Sequence, residues 1–355
     1  MKHTSISCKR SARILALLLC LAALLSMTAC GSASAMEQKQ IFAMDTVMTL
    51  TAYGSHATEG LDAATSIINS MEALLDPELP TSTTYAINHA NGANIVVNAQ
   101  IAKMLSTAKT VYEQSDGALD LSLYPVVKLW GFVDGRYYVP LYEEIQAQLS
   151  RRAFDKMILT SYPATGSYSV SFPAGTEISF GAIGKGCAAE NAVSAMRQAG
   201  VKSGIISLGG NVQTLGLKPD GSQWTVAIQD PNNTASWVGT IKVGETAVVT
   251  SGSYQRFFEF DGNTYHHIIN PLSGSPVSNN LLSATIICED GTMADALSTA
   301  MFVLGETRAL NYWRQHGGFE MILINKSNQV ICTKGLIDIF TANPAASGYR
   351  VRYAE

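Results

Sequence analysis

The chain has 355 residues, 47% of them hydrophobic and 15% charged, a composition typical of globular proteins and not of disordered, collagen-like or coiled-coil chains. Its formal net charge is −4, and four of its 24 basic residues lie within the first 29 positions, which contain no acidic residue. The remaining 20 basic side chains are outnumbered by 28 acidic ones, so we expect no basic patch for nucleic acid or anionic lipid.

The N-terminus has the features of a bacterial export signal. Lys9, Arg10 and Arg13 precede a nearly uninterrupted apolar stretch over residues 14–29. These 16 residues are fewer than the roughly 20 that a membrane-spanning helix needs, so residues 1–29 are predicted to be a signal peptide.

The signal ends in a Ser-Met-Thr-Ala-Cys sequence that resembles a lipobox, with the cysteine at Cys30. We therefore expect a lipid on Cys30 and a protein anchored at the extracytoplasmic face of a bacterial cell membrane, which it contacts through the lipid alone. An ordinary cleaved signal followed by an incidental cysteine is the alternative. Residues 30–40 are small and polar and are predicted to form a tether, and 41–355 to form one domain.

Hydrophobic periodicity predicts the elements of this domain in chain order. A strand over 46–53 comes first, followed by helices over 60–75, 102–112, 143–152 and 191–198 with a loop at 76–84. Short strands then dominate, over 205–208, 224–228, 239–243, 247–251, 257–260, 265–269 and 284–288, before a helix over 294–304 and strands over 321–325 and 330–333. Because helices and strands mix without a regular βαβ alternation, the pattern predicts an α+β fold.

The cysteine pattern gives no sign of a metal site. Cys187, Cys288 and Cys332 remain after the signal and Cys30 are set aside. Three cysteines allow at most one disulfide, and their spacing matches neither a zinc site nor a redox motif.

Two glycine-rich segments allow a ligand to approach the backbone closely. Segment 177–186 contains Lys185 and is expected to end a strand and to open a helix at Cys187, an arrangement that suits a phosphate. A tight turn with a surface lysine is the alternative. Leu-Gly-Gly-Asn at 208–211 permits the same two interpretations.

An Asp-Gly turn at 261–262 predicts a hairpin that carries two adjacent histidines. His266 and His267 must face opposite sides of their strand, so at most one can belong to a given site. A hydrogen-bonded structural role is the alternative for either of them.

The start of the last helix permits two interpretations. Asp295 and Thr299 are four residues apart, so a carboxylate and a hydroxyl share one helix face and could bind a hard cation such as Mg²⁺. Alternatively, Thr292 is the N-cap and Asp295 its partner in a capping box.

Six motifs in this order resemble those of the ApbE family of FAD:protein FMN transferases. They are Gly117-Ala-Leu-Asp120 with Lys128-Leu-Trp-Gly-Phe132, Gly181-Ala-Ile-Gly-Lys-Gly186, Leu208-Gly-Gly-Asn211, Ala247-Val-Val-Thr-Ser-Gly252 with Tyr254, His267-Ile-Ile-Asn-Pro-Leu-Ser-Gly274, and Ala294-Asp-Ala-Leu-Ser-Thr299. The resemblance covers roughly residues 41–340.

This resemblance implies an α+β, T-fold-like architecture with mixed or antiparallel sheets and packed helices. It also implies an enzyme that uses Mg²⁺ and takes FAD as its substrate. Such an enzyme transfers FMN to a Thr or Ser hydroxyl of an acceptor flavoprotein and releases AMP. Acceptors of the family carry a motif of the kind Asp-Gly-x-Ser/Thr-Gly-Ala-Thr/Ser.

The resemblance also implies the site residues. The metal ligands are the Asp295 carboxylate, the Thr299 hydroxyl and the backbone carbonyl of Ala182, and the catalytic residues are His267, as base or phosphate ligand, and Asp295. Lys185 matches a lysine near the FAD phosphates. The remaining residues expected to bind FAD, besides His267, are Met44, Glu78, Ala118, Leu119, Asp120, Ser251, Gly252 and Ile268.

The loop at 76–82 differs from the family pattern, since Asp76 takes the place of a serine and Glu78 that of an aromatic residue near the flavin. Two alternatives therefore remain open at this point. One is an FAD pyrophosphatase that uses water in place of the acceptor hydroxyl, and the other is a flavin-binding lipoprotein without turnover.

Overall fold

The computed structural model describes residues 35–355. The predicted signal peptide and Cys30 lie outside these residues. Between residues 35 and 355, no helix is both long enough and apolar enough to cross a membrane. Cys187, Cys288 and Cys332 are free thiols, so the disulfide that the sequence allowed does not form among them.

A nine-stranded mixed sheet forms the centre of the described chain. Its strands, from one edge to the other, are β1 (Met36–Ala43), β2 (Thr46–Tyr53), β6 (Ser203–Leu208), β7 (Asn211–Leu215), β10 (Ala247–Gly252), β13 (Leu281–Cys288), β14 (Glu320–Asn325), β15 (Gln329–Thr333) and β17 (Arg350–Ala354). Neighbouring strands are antiparallel except β15 and β17, which are parallel. The antiparallel pairs bring residues far apart in sequence, such as Leu50 and Ile206, side by side.

The other elements cover the two faces and the ends of this sheet. The helices are α1 (Ala57–Leu75), α2 (Thr83–Asn88), α3 (Ala99–Gln114), α4 (Tyr124–Leu129), α5 (Tyr142–Leu149), α6 (Gly184–Gln198) and α7 (Gly291–His316), with single 3₁₀ turns at Leu121–Leu123, Phe154–Lys156 and Lys334–Leu336. Three small sheets contain β3 (Ile95–Val97), β4 (Ile158–Tyr162) and β5 (Ser167–Ser171); β8 (Trp224–Asp230), β9 (Asn233–Val243) and β16 (Phe340–Ala342); and β11 (Phe257–Phe260) and β12 (Asn263–His266).

Alternation along the strands divides the core into two layers. On β2, Met48 and Leu50 are fully buried and belong to the larger core, which includes apolar residues of α1, α6 and α7. On the other face of the sheet, Val248 and Ile322 pack with Trp224 of the β8 sheet. Each such side chain contributes about 1.5–3 kcal/mol through its burial. The larger core contains the buried residues of both helices that carry the site residues, α6 and α7.

Several predicted boundaries were wrong. Residues 36–40 are not a tether, because they pair with residues 49–53 as part of β1. No strand lies within 177–183, and α6 begins at Gly184 rather than at Cys187. The second strand of the hairpin ends at His266 instead of continuing to residue 269. Strand β2 has the bounds that the sequence predicted, and the α+β class is confirmed.

Helix α7 extends well beyond the predicted residues 294–304, but it is interrupted at Gly305. There φ is 74° and ψ is 169°, a backbone conformation outside the helical region. The Asn279 amide donates a hydrogen bond of 2.7 Å to the Phe302 carbonyl just before this break. The predicted helix therefore corresponds to the first segment of α7, which contains the candidate site residues.

Candidate active site

The N-termini of α6 and α7 touch through two glycines. A Cβ on Gly186 would lie 2.1 Å from the Gly291 carbonyl oxygen, and a Cβ on Gly291 would lie 2.9 Å from the Gly186 carbonyl oxygen. Glycine is therefore required at Gly186, because any side chain would displace the α7 backbone. This close contact allows the Gly186 amide to donate a hydrogen bond of 2.8 Å to Oδ2 of Asp295.

The capping-box interpretation of Asp295 was wrong. The N-cap of α7 is Asp290, whose side chain accepts a hydrogen bond of 2.8 Å from the Met293 amide. The Thr292 hydroxyl instead donates to Oε2 of Glu190 at 2.7 Å. Asp295 thus satisfies an amide in the first turn of α6, where the helix itself offers no acceptor.

The Asp295 carboxyl is almost fully buried, with 4% of the residue exposed. Burial raises its pKa above the ordinary value, and the positive charge of Lys185, the Gly186 amide and the Asn211 side chain act in the opposite direction. Burial of this carboxyl in its charged form costs free energy, which the charge of Lys185 and the two polar groups partly offset.

Three hydroxyl groups cluster between β10 and the turn of α7 that follows Asp295. Oγ of Ser251 on β10 is 2.8 Å from Oγ of Ser298 and 3.3 Å from Oγ1 of Thr299. Ser298 in turn donates to the Asp295 carbonyl oxygen at 2.9 Å. The structure therefore brings three predicted site residues, Ser251, Asp295 and Thr299, into one cluster. Gly252 follows on the same strand, against the ring of Tyr254.

His267 lies in the segment after β12, close enough to Lys185 for the lysine charge to act on its imidazole. Its Nδ1 is 3.1 Å from the carbonyl oxygen of Arg256. Because a carbonyl can only accept, Nδ1 carries the proton and Nε2 has the lone pair. Burial, together with the nearby positive charges of Lys185 and Arg256, lowers the pKa of His267 to about 3. The imidazole is consequently neutral at pH 7.

The neighbouring residues of His267 have structural roles. Nε2 of His266 is 3.0 Å from the Val277 carbonyl oxygen, and its ring packs edge-on against Phe302. The side chain of Ile268 is buried in the larger core, so any contact of Ile268 with a ligand would use its backbone. The two histidines have different partners, since the ring of His266 packs against Phe302 and that of His267 against Phe132.

Met44 occupies a strained two-residue turn between β1 and β2. Both Met44 and Asp45 have positive φ angles, 50° and 59°, which this turn type usually assigns to Gly or Asn. The Met44 amide donates to Oε1 of Glu72 at 2.6 Å. Asp45 lies 3.9 Å from the guanidinium of Arg256, so the turn is adjacent to the segment that holds His267.

Asp120 lies apart from the helix crossing, in a region that we call the wall and that comprises Glu78 and residues 118–120. Its carboxylate is bound to protein groups. It accepts hydrogen bonds from the amide and the hydroxyl of Ser122, at 2.8 and 2.6 Å, and pairs with Arg152 at 3.2 Å. Burial raises the pKa of Asp120, opposed by Ser122 and Arg152. Ala118 and Leu119 are buried just before it.

Glu78 belongs to the same wall. It pairs with Lys128 at 2.6 Å and accepts from the Tyr124 hydroxyl, and these two hydrogen bonds lower its pKa. Within the described chain, neither Glu78 nor Asp120 hydrogen-bonds to Lys185, His267 or Asp295. The wall reaches the helix crossing indirectly, since the Ser179 amide donates to the Leu121 carbonyl at 3.1 Å.

Sequence reasoning missed two residues at the site. Arg256 was placed outside the predicted hairpin, and its approach to His267 depends on a backbone hydrogen bond of 3.0 Å from the His267 amide. Asn211 lay in a motif interpreted as either a ligand loop or a turn, without a role for its side chain. Its presence at the end of a Gly-Gly turn was the available signal, but its proximity to Asp295 is a tertiary contact.

The arrangement has few of the ligands typical of transition metals. Among residues 35–355, no group of three or more His, Cys, Asp and Glu side chains could hold a metal ion. The predicted set of one carboxylate, one hydroxyl and one carbonyl contains only oxygen donors, which suit Mg²⁺ better than Zn²⁺.

Known proteins are similar to this chain in sequence and in fold. Residues 44–323 match the ApbE family. A relative named FAD:protein FMN transferase from Klebsiella pneumoniae (strain 342) is 33% identical over 287 residues, which cover 80% of this chain and 87% of the relative. A protein of the same name from Treponema pallidum (strain Nichols) is 32% identical over 290 residues, covering 78% and 80% of the two chains.

Solved structures agree with the sequence relatives. The ApbE protein from Thermotoga maritima has a TM-score of 0.78 and 25% identity, with 85% of this chain and 98% of that chain covered. The apo form of the Pseudomonas stutzeri flavinyl transferase ApbE has a TM-score of 0.75 and 26% identity, with coverages of 87% and 98%. The resemblance drawn from the six motifs is confirmed, and the chain belongs to the ApbE family.

Proposed function

We propose that this protein transfers the FMN moiety of FAD to a Thr or Ser hydroxyl of an acceptor flavoprotein and releases AMP. The observation that carries this proposal is the convergence of Lys185, a neutral His267 and the buried Asp295 at the crossing of α6 and α7. The names of the curated relatives support flavin transfer as the class of reaction.

Lys185 and the first turn of α6 are suited to the pyrophosphate of FAD. A helix N-terminus carries a partial positive charge, and the lysine adds a full charge in the same turn. Arg256 adds a second positive charge near His267. These groups orient the phosphates and stabilise charge that grows on them during transfer.

His267 is the base of the proposed reaction. Its free Nε2 takes the proton of the acceptor hydroxyl as that oxygen attacks the phosphorus of the FMN half. A new phosphorus–oxygen bond forms, the bond to the bridging oxygen breaks, and AMP leaves with that oxygen. Because the imidazole is already neutral at pH 7, no deprotonation step has to precede the attack.

The residues present fit a Mg²⁺ ion. Oδ2 of Asp295 accepts from the Gly186 amide, and the Thr299 hydroxyl lies one turn further along the same helix face. With the Ala182 carbonyl, these are the hard oxygen donors that Mg²⁺ prefers. When bound, the ion would neutralise negative charge on the pyrophosphate and on departing AMP. Both the cation and its ligands are part of this proposal.

Incubation with FAD and Mg²⁺ tests the function directly. We expect AMP to appear, by chromatography, only when an acceptor domain with the Asp-Gly-x-Ser/Thr-Gly-Ala-Thr/Ser motif is present, together with flavin fluorescence on that domain after denaturation. AMP and free FMN without the acceptor would instead establish the pyrophosphatase, and intact FAD under both conditions would establish a binding protein.

We also propose that Cys30 carries a lipid that anchors the protein at the extracytoplasmic face of the cell membrane. The support is the apolar segment 14–29 and the sequence that ends at Cys30. Cys30→Ser should release the exported protein from the membrane fraction, as measured by fractionation and immunoblotting. An unchanged membrane fraction would reject the anchor.

A further inference from the structure

Two buried amide side chains on β7 face the crossing of α6 and α7. Asn211 and Gln213 are 2% and 4% exposed, and as alternate residues of one strand they lie on the same face. Buried polar atoms are nearly always hydrogen-bonded. Nevertheless, Nδ2 of Asn211 and Oε1 of Gln213 find no hydrogen-bond partner within residues 35–355.

The two amides lie against different parts of the crossing. Asn211 is close enough to Asp295 to stabilise its negative charge and lower its pKa. Oε1 of Gln213 lies 2.7 Å from the position that a Cβ on Gly291 would take, at the first residue of α7. Only Asn211 therefore has an unused donor beside a carboxylate.

The backbone holds Asn211 rigidly. It pairs with Leu208 across a two-residue turn and with Val249 of β10 on its other side. The turn consists of Gly209 and Gly210, with φ angles of 56° and 99° that favour glycine. The pairing on both sides fixes the Asn211 backbone and therefore the face of β7 from which its side chain extends.

We propose that Asn211 is a positioning residue for Asp295. Its Nδ2 lies beside the Asp295 carboxylate, whose Oδ2 already accepts from the Gly186 amide, and would hold that carboxylate in the orientation that a divalent cation requires. The inference rests on the proposed function, because it assigns Asn211 to the cation site of that reaction. Partners that orient a ligating carboxylate typically change metal affinity by about 10–100-fold.

Substitution of each amide separates positioning from packing. Asn211→Leu keeps the approximate volume and removes the donor, and Gln213→Met does the same for the matched amide that faces Gly291. Mn²⁺ alone is titrated into each full chain and followed by electron paramagnetic resonance, with the melting temperature measured in parallel. We expect Asn211→Leu to raise the Mn²⁺ dissociation constant about 10–100-fold and Gln213→Met to leave it unchanged.

Two results would overturn the inference. One is an unchanged Mn²⁺ dissociation constant in Asn211→Leu, and the other is an equal loss of affinity in Gln213→Met, which would indicate packing of β7. If Asn211→Leu does not fold, Asn211→Ala adds no bulk, removes the same donor and must show the same loss.

The proposed function can fail independently. An unsubstituted chain that binds Mn²⁺ but transfers no FMN would reject that function and leave the positioning role of Asn211 intact. FMN transfer by the unsubstituted chain, combined with normal Mn²⁺ affinity in Asn211→Leu, would reject only the positioning role. An unsubstituted chain that does not bind Mn²⁺ would reject both.

Discussion

The predicted site residues fall into two groups, one at the crossing of α6 and α7 and one around Glu78 and Asp120. The groups differ in how many of their polar atoms are already hydrogen-bonded within the protein. At the crossing of α6 and α7, neither Nε2 of His267 nor the buried Nδ2 of Asn211 hydrogen-bonds to a group within residues 35–355. On the wall formed by Glu78 and Asp120, both carboxylates are held by hydrogen bonds and ion pairs within the chain, although Nε of Arg152 has no partner among residues 35–355. A base with an available lone pair can respond to a ligand, whereas carboxylates that are already paired mainly maintain the local shape. The comparison therefore predicts chemistry at the crossing and support at the wall.

The largest effect should follow from Asp295→Ala. Because this carboxylate is the one charged oxygen ligand of the proposed cation site, its loss should reduce AMP release at least about 10²-fold while the fold persists. Asp290→Ala is the matched control, since it removes the N-cap of the same helix. Its expected cost is about 1 kcal/mol of stability with turnover retained. Turnover by Asp295→Ala at the rate of the unsubstituted chain in limiting Mg²⁺ would remove Asp295 from the site.

His267→Gln should reduce FMN transfer by about 10²–10⁴-fold, the usual contribution of a general base, with little change in the binding of FAD. The pH dependence sharpens this prediction. With a pKa near 3, the imidazole stays neutral as the pH falls from 7 to about 4, so no loss of activity near pH 6.5 should originate from His267. A rate profile that falls with an apparent pKa near 6.5, and that does so only with His267 present, would contradict its buried neutral state.

The same group should affect stability in acid. The unfolded chain protonates His267 near pH 6.5 and the folded chain near pH 3, so between these values the unfolded state binds more protons. The free energy of unfolding should therefore fall as the pH is lowered from 6.5 towards 3. His267→Gln should make this decrease shallower in chemical denaturation measured across the range.

The sequence predicted the class of fold and most elements because alternation and helical periodicity are local signals. It mistook the first residues of β1 for a tether because that edge strand exposes polar side chains such as Glu37 and Gln40. It placed the start of α6 too late because glycines at Gly184 and Gly186 have low helix propensity, and tertiary contact overrides that preference.

The residues of the candidate site were predicted less completely than the elements of the fold. Motif resemblance identified Lys185, His267 and Asp295, which the structure brings together. The alternative prediction of a capping box between Thr292 and Asp295 was wrong, because Asp290 is the N-cap of α7. Arg256 and Asn211 were missed because each acts on its neighbour at the site, His267 or Asp295, through a tertiary contact that single-sequence patterns do not encode.

On the wall, the main expected effect is on stability. Arg152→Met leaves the Asp120 carboxylate buried without its cation and should lower the free energy of unfolding by about 3 kcal/mol, the low end for a buried pair because Arg152 is partly exposed. Arg151→Met is the adjacent control, since its pair with Glu177 is more exposed and contributes at most about 1 kcal/mol. Urea denaturation measures both. Equal effects of the two variants would show that Asp120 is not held mainly by Arg152.

The smallest effect should come from Glu78→Gln. The pair with Lys128 is about half exposed, so its loss should change stability by less than about 1 kcal/mol. The lowered pKa of Glu78 means that this small contribution is present at neutral pH and disappears as the pH falls through that pKa.

If the wall supports the flavin, the KM of Glu78→Gln for FAD should rise a few-fold with kcat unchanged. Asp62→Asn, which breaks the comparably exposed pair with Lys39 between β1 and α1, controls for loss of a surface ion pair. A large fall in kcat for Glu78→Gln, measured by AMP release at saturating FAD, would move Glu78 from the supporting wall into the reacting site and would break the distinction between the two regions.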